Sequence, residues 1–281
     1  MRTCIALLVL AAASFAAERD PAATLLRAEA DAYARAATER WVPGVPVAAS
    51  ADGGVVGWLS VRINVWFPEL EGDMASLGET VSLDDELGLG EEESTLMPQI
   101  TVSFGGVGLR FDFFQLEYDA NALIQRQFEF GGITFDVAEN VASRVVINNY
   151  RLLAVIPIVK TKSFQLSTLA GVSYYELEGE IISQTAGQAQ EEGDFPIPVL
   201  GLMLQVNVSR VTIEVEVSGL AVDYGDVDFT LIDATASIGI TVAKVIAIRG
   251  GYRIVIMDGT VDDFLIDVTL EGPFVGASFQ F

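Results

Sequence analysis

Six carboxylates crowd one short stretch of the chain: Asp84, Asp85 and Glu86, then Glu91, Glu92 and Glu93. Oxygen ligands at that density could hold a hard cation such as Ca²⁺ or Mg²⁺. An adjacent acid pair such as Asp84 and Asp85 could also divide general acid and base roles between its members. The spacing specifies neither, because no EF-hand pattern or D-x-D-x-D-G loop is present. The enclosing segment 68–96 carries ten acidic residues and no basic one, which is the composition of a solvated acidic loop. That loop, without a bound cofactor, is the expectation, and Ca²⁺ or Mg²⁺ at these six positions is the alternative.

What the chain lacks narrows the chemistry further. It has no histidine, which removes His-dependent triads, His metal ligands and the usual general base near neutral pH. Its one cysteine, Cys4, lies in the N-terminal apolar segment, so neither a disulfide framework nor a Cys-based zinc site can form. Gly131-Gly132 and Gly250-Gly251 belong to no phosphate-loop pattern. No enzyme is expected. With 39 acidic against 16 basic residues and a net charge of −23, nucleic acid is not an expected partner either.

A second set of charged residues is spread widely and obeys a spacing rule. In "RVTIEVEVSGL", residues 210–220, Val211, Ile213, Val215 and Val217 alternate with Thr212, Glu214, Glu216 and Ser218. This period of two is the signature of a β-strand with chemically distinct faces. The same alternation sets Val61, Ile63 and Val65 against Arg62 and Asn64, and Leu152 and Ala154 against Arg151. It sets Ile248, Tyr252 and Ile254 against Arg249 and Arg253. Collected along the chain, the polar rows hold Arg62, Arg110, Arg151, Arg249 and Arg253 against Asp112, Glu214, Glu216, Asp233, Asp267 and Glu271. Bases and acids so nearly balanced read as one lumen-lining, mutually neutralising set.

About ten strands (8–12 possible) account for the alternating segments. Short connections fall near Gly105-Gly106, 160–163, Ser209-Arg210 and Ala243-Lys244. Long ones are expected at 68–96, 120–142, 179–196, 223–228 and 258–263. "RQFEFGGITF" reads as a hairpin extending beyond the membrane. In two strands the apolar set changes parity, at Phe113-Phe114 and around Gly272-Pro273, and a β-bulge at each would explain the flip. Alternating long and short connections, an even strand number and clean apolar rows predict an all-β fold: a closed antiparallel up-and-down transmembrane β-barrel with apolar rows facing lipid. A secreted soluble barrel binding an apolar ligand would place the same rows inside.

The predicted organisation has three parts. Residues 1–16 read as a signal peptide, with Arg2, a short apolar run and Ser14-Phe15-Ala16 at the cleavage positions. Residues 17–53 read as a periplasmic segment, helical after Asp20-Pro21 and then a linker. Residues 54–281 are the barrel.

The chain resembles bacterial outer-membrane β-barrels. It ends in "GPFVGASFQF", whose alternating aromatics and terminal Phe281 are similar to the signature read by the outer-membrane assembly machinery. The resemblance implies a Gram-negative outer-membrane location, with outer-membrane lipids and that machinery as partners. A barrel of this size also resembles the outer-membrane proteases. Their sites combine acidic residues with a histidine, which this chain lacks; the outer-membrane lipid hydrolases, which use Ser with His, are disfavoured alike. A narrow porin-like pore, or a surface-exposed structural or binding protein with acidic extracellular loops, is the function expected, since the fold alone specifies no activity.

Overall fold

The computed structural model describes residues 58–281, apart from 77–78, 85, 91–92, 126, 131, 225–226 and 262–263. The expected signal peptide and N-terminal helix lie outside the described residues. Ten strands form the barrel: β1 (Leu59–Trp66), β4 (Thr95–Phe104), β5 (Val107–Leu123), β8 (Asn140–Lys160), β9 (Phe164–Ser183), β10 (Gly187–Val208), β11 (Val211–Tyr224), β12 (Val227–Ala243), β13 (Ile246–Val261) and β14 (Phe264–Gln280). Each pairs antiparallel with the next. β1 pairs with β14 from Ser60↔Gln280 to Trp66↔Phe274, so the ring closes without a free edge.

Two short hairpins are added at the end opposite the tight turns. β2 (Glu69–Ser76) extends the line of β1 along the upper half of β14, and β3 (Glu79–Ser82) folds back on β2. At Gly72 φ is +136°, and a Cβ there would lie 2.0 Å from the Asp267 carbonyl oxygen, so only glycine lets β2 approach β14 so closely. β6 (Phe128–Phe130) and β7 (Ile133–Phe135) form the hairpin expected from "RQFEFGGITF". At the other end, the β4–β5 turn is made by Gly105 and Gly106, with φ of +59° and +91°. Successive positive φ values suit a two-residue hairpin turn.

Several long connections expected from the sequence are strands instead. β8, β9 and β10 run 21, 20 and 22 residues, and β9 reaches β10 through residues 184–186 alone. A strand needs only about 9–11 residues to cross a bilayer, so roughly half of each stands above the apolar belt. Polar sequence with glycine and proline resembles loop, which is why 179–196 looked like one.

The expected bulges are also absent at the two parity changes. The β5–β8 register runs unbroken through Phe113↔Tyr150 and Phe114↔Asn149, and the β13–β14 register runs unbroken through Gly272 and Pro273. What changes there is the chemistry of both faces at once. On β5 the outward row passes from Leu109 and Phe111 to Gln115, Glu117 and Asp119, while the inward row passes from Arg110 and Asp112 to Phe114, Leu116 and Tyr118. On β10 the outward row turns from Leu200 and Leu202 to Asp194 and Glu192. The lower barrel is apolar outside and mainly polar inside, where Val155, Leu169 and Met203 form one small buried apolar cluster; the upper barrel is the reverse.

Burial in the upper half explains the inversion. Phe114, Tyr118, Tyr175, Leu231, Val255 and Leu270 are among the residues that fill its interior as one apolar core. The β6–β7 hairpin contributes Phe128, Phe130 and Phe135 to the same core, the first and last stacked at 5.3 Å between ring centroids. The acidic segment is not a wholly solvated loop. Its Leu83, Leu87 and Leu89 are 3%, 4% and 1% exposed and join this core. Roughly 1.5–3 kcal/mol per buried side chain holds such a segment down.

Candidate functional site: an arginine–carboxylate network across the barrel

Where the interior turns from polar to apolar, guanidinium and carboxylate groups meet across the barrel axis. Alternation on each strand sends these side chains inward, and ring closure brings residues distant in sequence into contact. Arg62 on β1 donates from both Nη atoms to Glu214 on β11, at 2.7 and 2.8 Å. Arg110 on β5 makes the same two-pronged contact with Glu216, at 2.6 and 2.5 Å, and its Nε lies 3.1 Å from Asp112. Arg151 on β8 bonds Asp233, and donates to Glu216 at 3.1 Å and to the Ser218 hydroxyl at 3.2 Å.

Arg253 on β13 completes the upper edge. It donates to Asp233 at 3.1 and 2.8 Å and lies over the rings of Phe114 and Trp66, at 4.9 and 5.1 Å from their centroids. A cation over an aromatic face is attracted by the ring quadrupole, so these two rings join the charged layer to the apolar core above. Arg249 is bound more loosely. Its Nη2 donates to Glu214 at 3.3 Å and to the Ser237 hydroxyl at 2.8 Å.

These groups are 3–8% exposed at Arg110, Arg151, Glu214, Glu216, Asp233, Arg249 and Arg253. Charges buried to that degree persist only when paired and hydrogen-bonded. Two-pronged guanidinium–carboxylate contacts meet that condition with directional bonds. Among the described residues, a cavity of about 60 Å³ is bordered by Arg62, Arg249, Asn64, Gln99 and Thr235 among others.

Nine of the eleven residues expected to line the lumen therefore meet in one charged layer, as two ion-paired groups: Arg62, Glu214 and Arg249 in one, and Arg110, Asp112, Arg151, Glu216, Asp233 and Arg253 in the other. Asp267 and Glu271 do not. Inward positions on β14 are Ile266, Val268 and Leu270, so both acids point outward; Asp267 is exposed and faces Asp73 and Asp258 on the neighbouring strands. The parity used for the lower barrel gives the wrong face above the inversion. Sequence reasoning missed Trp66, Phe114, Ser218 and Ser237 as partners. The inward parity of β1 places Trp66 in line with Arg62 and Asn64, and that was the available signal.

The acidic segment builds no comparable site. Ser82 donates its hydroxyl to Asp84 at 2.7 Å and its amide to Glu86 at 3.1 Å. The Glu93 amide donates to the Pro68 carbonyl at 3.2 Å. Asp85, Glu91 and Glu92 lie outside the described residues. Among the described residues, no group of three or more acidic or thiol side chains converges as metal ligands would.

The outer surface at the level of the network carries the opposite chemistry. Leu200, Leu202, Ile213, Val217, Ile238 and Ile248 are 45–60% exposed, whereas Glu214 is 5% exposed. A closed ring with an apolar outside around a charged inside is the β solution to a lipid environment. The chain has the architecture of the bacterial outer-membrane β-barrels. Comparison with solved structures returns proteins of this kind. The outer membrane protease OmpT of Escherichia coli matches at 9% identity and a TM-score of 0.48, over 83% of this chain and 99% of that one. The translocator domain of the autotransporter NalP of Neisseria meningitidis matches at 12% and 0.48, over 92% and 98%. The toluene transporter TodX of Pseudomonas putida matches at 9% and 0.33, over 81% and 91%. Likeness at this level says nothing about activity. No family model and no curated protein matches the barrel's sequence.

Proposed function

We propose that this barrel resides in the outer membrane of a Gram-negative bacterium and acts there as a sealed, surface-exposed structural or binding protein. The tight turns face the periplasm and the tall acidic wall faces outward. The observation that supports sealing is the apolar core in the upper interior, which includes Phe128, Phe130 and Phe135 of the β6–β7 hairpin. Small barrels fill their interiors with side chains in this way. Below that core the arginine–carboxylate layer adds a second obstruction.

Outer-membrane lipids contact the belt, and the terminal strand, with Val275 exposed on its outer row, offers itself to the assembly machinery. Catalysis forms no part of the proposal, since the carboxylates of the network are engaged by guanidinium groups. A soluble barrel with an apolar ligand is disfavoured, because the lower interior is charged and the lower exterior apolar.

Planar-bilayer recording of the refolded full chain tests the sealed state. No unitary conductance is expected at moderate voltage. Steady ohmic steps would replace this reading with the narrow pore.

A further inference from the structure

We propose that the lower lumen contains a binding site for a single small monovalent anion of the chloride class, centred on Arg249. The inference begins with charge. Inside the barrel the network joins five arginines to four carboxylates: Asp112, Glu214, Glu216 and Asp233. Arg110, Arg151 and Arg253 are balanced by Asp112, Glu216 and Asp233. The surplus falls on the remaining group, where Arg62 and Arg249 share Glu214 alone.

Geometry places that surplus on one side chain. Arg62 gives both terminal nitrogens to Glu214 at 2.7 and 2.8 Å, so this pair is complete. Among the described residues, Arg249 directs only Nη2 at protein acceptors, one of them at 3.3 Å. A guanidinium carries five N–H donors, and those on Nε and Nη1 remain uncommitted beside the cavity of about 60 Å³ that Arg249 borders. A buried cation with spare donors and no full counter-charge creates a strong preference for an anion.

The lower lumen also provides a path. Gln165, Gln205, Asn207 and Thr212 face it and are half-buried, as is Arg62, whereas the core above the network is closed to solvent. The cavity is thus approached from the short-turn end and blind at the other. Its contents set the ligand's class. Glu214, Glu216 and Asp112 line the same space, so a dianion meets repulsion that one surplus positive charge does not offset. The confined space between charged side chains favours a small anion over an extended organic one. One halide-sized charge matches both limits, and it requires no conduction through the barrel.

The test uses the full chain refolded in detergent, with bromide as the probe, titrated from a sulfate buffer and read by the bromide NMR linewidth. Saturable broadening is expected for the unaltered protein. Arg249→Gln removes the surplus charge while leaving Arg62 paired with Glu214, and should weaken binding by about tenfold or more. Glu214→Gln frees a second guanidinium and should strengthen it. Lys160→Gln, at the exposed end of β8, should change nothing. Heat-modifiable gel migration confirms that each variant is folded; if Glu214→Gln fails that check, Arg249→Gln alone decides. Absence of saturable broadening in the unaltered protein, or equal broadening in folded Arg249→Gln, overturns the assignment.

Discussion

Replacing Leu202 by arginine puts the lipid-facing belt to its sharpest test. Leu202 is 54% exposed on the outer face of β10, between Val208 at the short turn and Pro198 near the inversion. At about 3.3 Å per residue and a tilt of about 40°, the stretch from Pro198 to Val208 climbs about 25 Å, the height of an outer-membrane apolar band. Leu202 therefore sits near mid-height, where arginine facing lipid costs about 2–4 kcal/mol.

The matched control is Glu192→Arg, higher on the same face of the same strand. Glu192 is exposed and lies directly opposite Glu178 on β9. Like charges in that register repel by a few tenths to about 1 kcal/mol, so arginine there should leave stability unchanged or raise it slightly. Both variants would be refolded into vesicles and titrated with denaturant, reading the folded fraction by gel migration. The difference expected between them is about 2–4 kcal/mol. Equal stabilities would mean that Leu202 faces water, and the membrane reading would fail with it.

Arg151→Leu should cost about 3–5 kcal/mol in the same titration, because Asp233 and Glu216 each lose a buried guanidinium partner; a loss below about 1 kcal/mol would show that the network is solvated. A pH effect is expected at the outer tips. Hydrogen bonds from Ser183 and Thr185 hold the Glu139 carboxyl below its usual 4.5. A lowered folded pKa means that this contribution is complete above pH 4.5 and disappears as pH falls through the folded value. Glu139 accepts the Ala186 amide at 3.1 Å, so protection of that amide, taken relative to its intrinsic exchange rate at each pH, should fall on acidification, and Glu139→Gln should abolish that loss.

The lower barrel was legible in the sequence because lipid imposes a strict rule. Every outward side chain of "RVTIEVEVSG" must be apolar, which leaves Glu214 and Glu216 with only one place to go. The upper barrel was harder to read, since water outside and a packed core inside restore ordinary globular alternation with the opposite sign. Parity alone does not distinguish the two regimes, and Asp267 and Glu271 were placed on the wrong wall for that reason. The flips at Phe113-Phe114 and Gly272-Pro273 were visible, but a change of surroundings and an inserted residue leave the same trace in one strand. The pairings within the charged network were not readable either. Arg62 and Glu214 are 152 positions apart, and only ring closure decides which base meets which acid.

The inversion acts as a waterline. A barrel with greasy walls along its whole height can bob by several ångströms at little expense. This one cannot, because Tyr174 and Asp194, bonded to each other at 2.7 Å, mark the level on adjacent strands. Sinking carries Asp194 and Glu176 toward hydrocarbon, and rising carries Leu200 and Val172 toward water. The chain thereby encodes its own draught, and with it the height at which its acidic rim stands above the apolar belt.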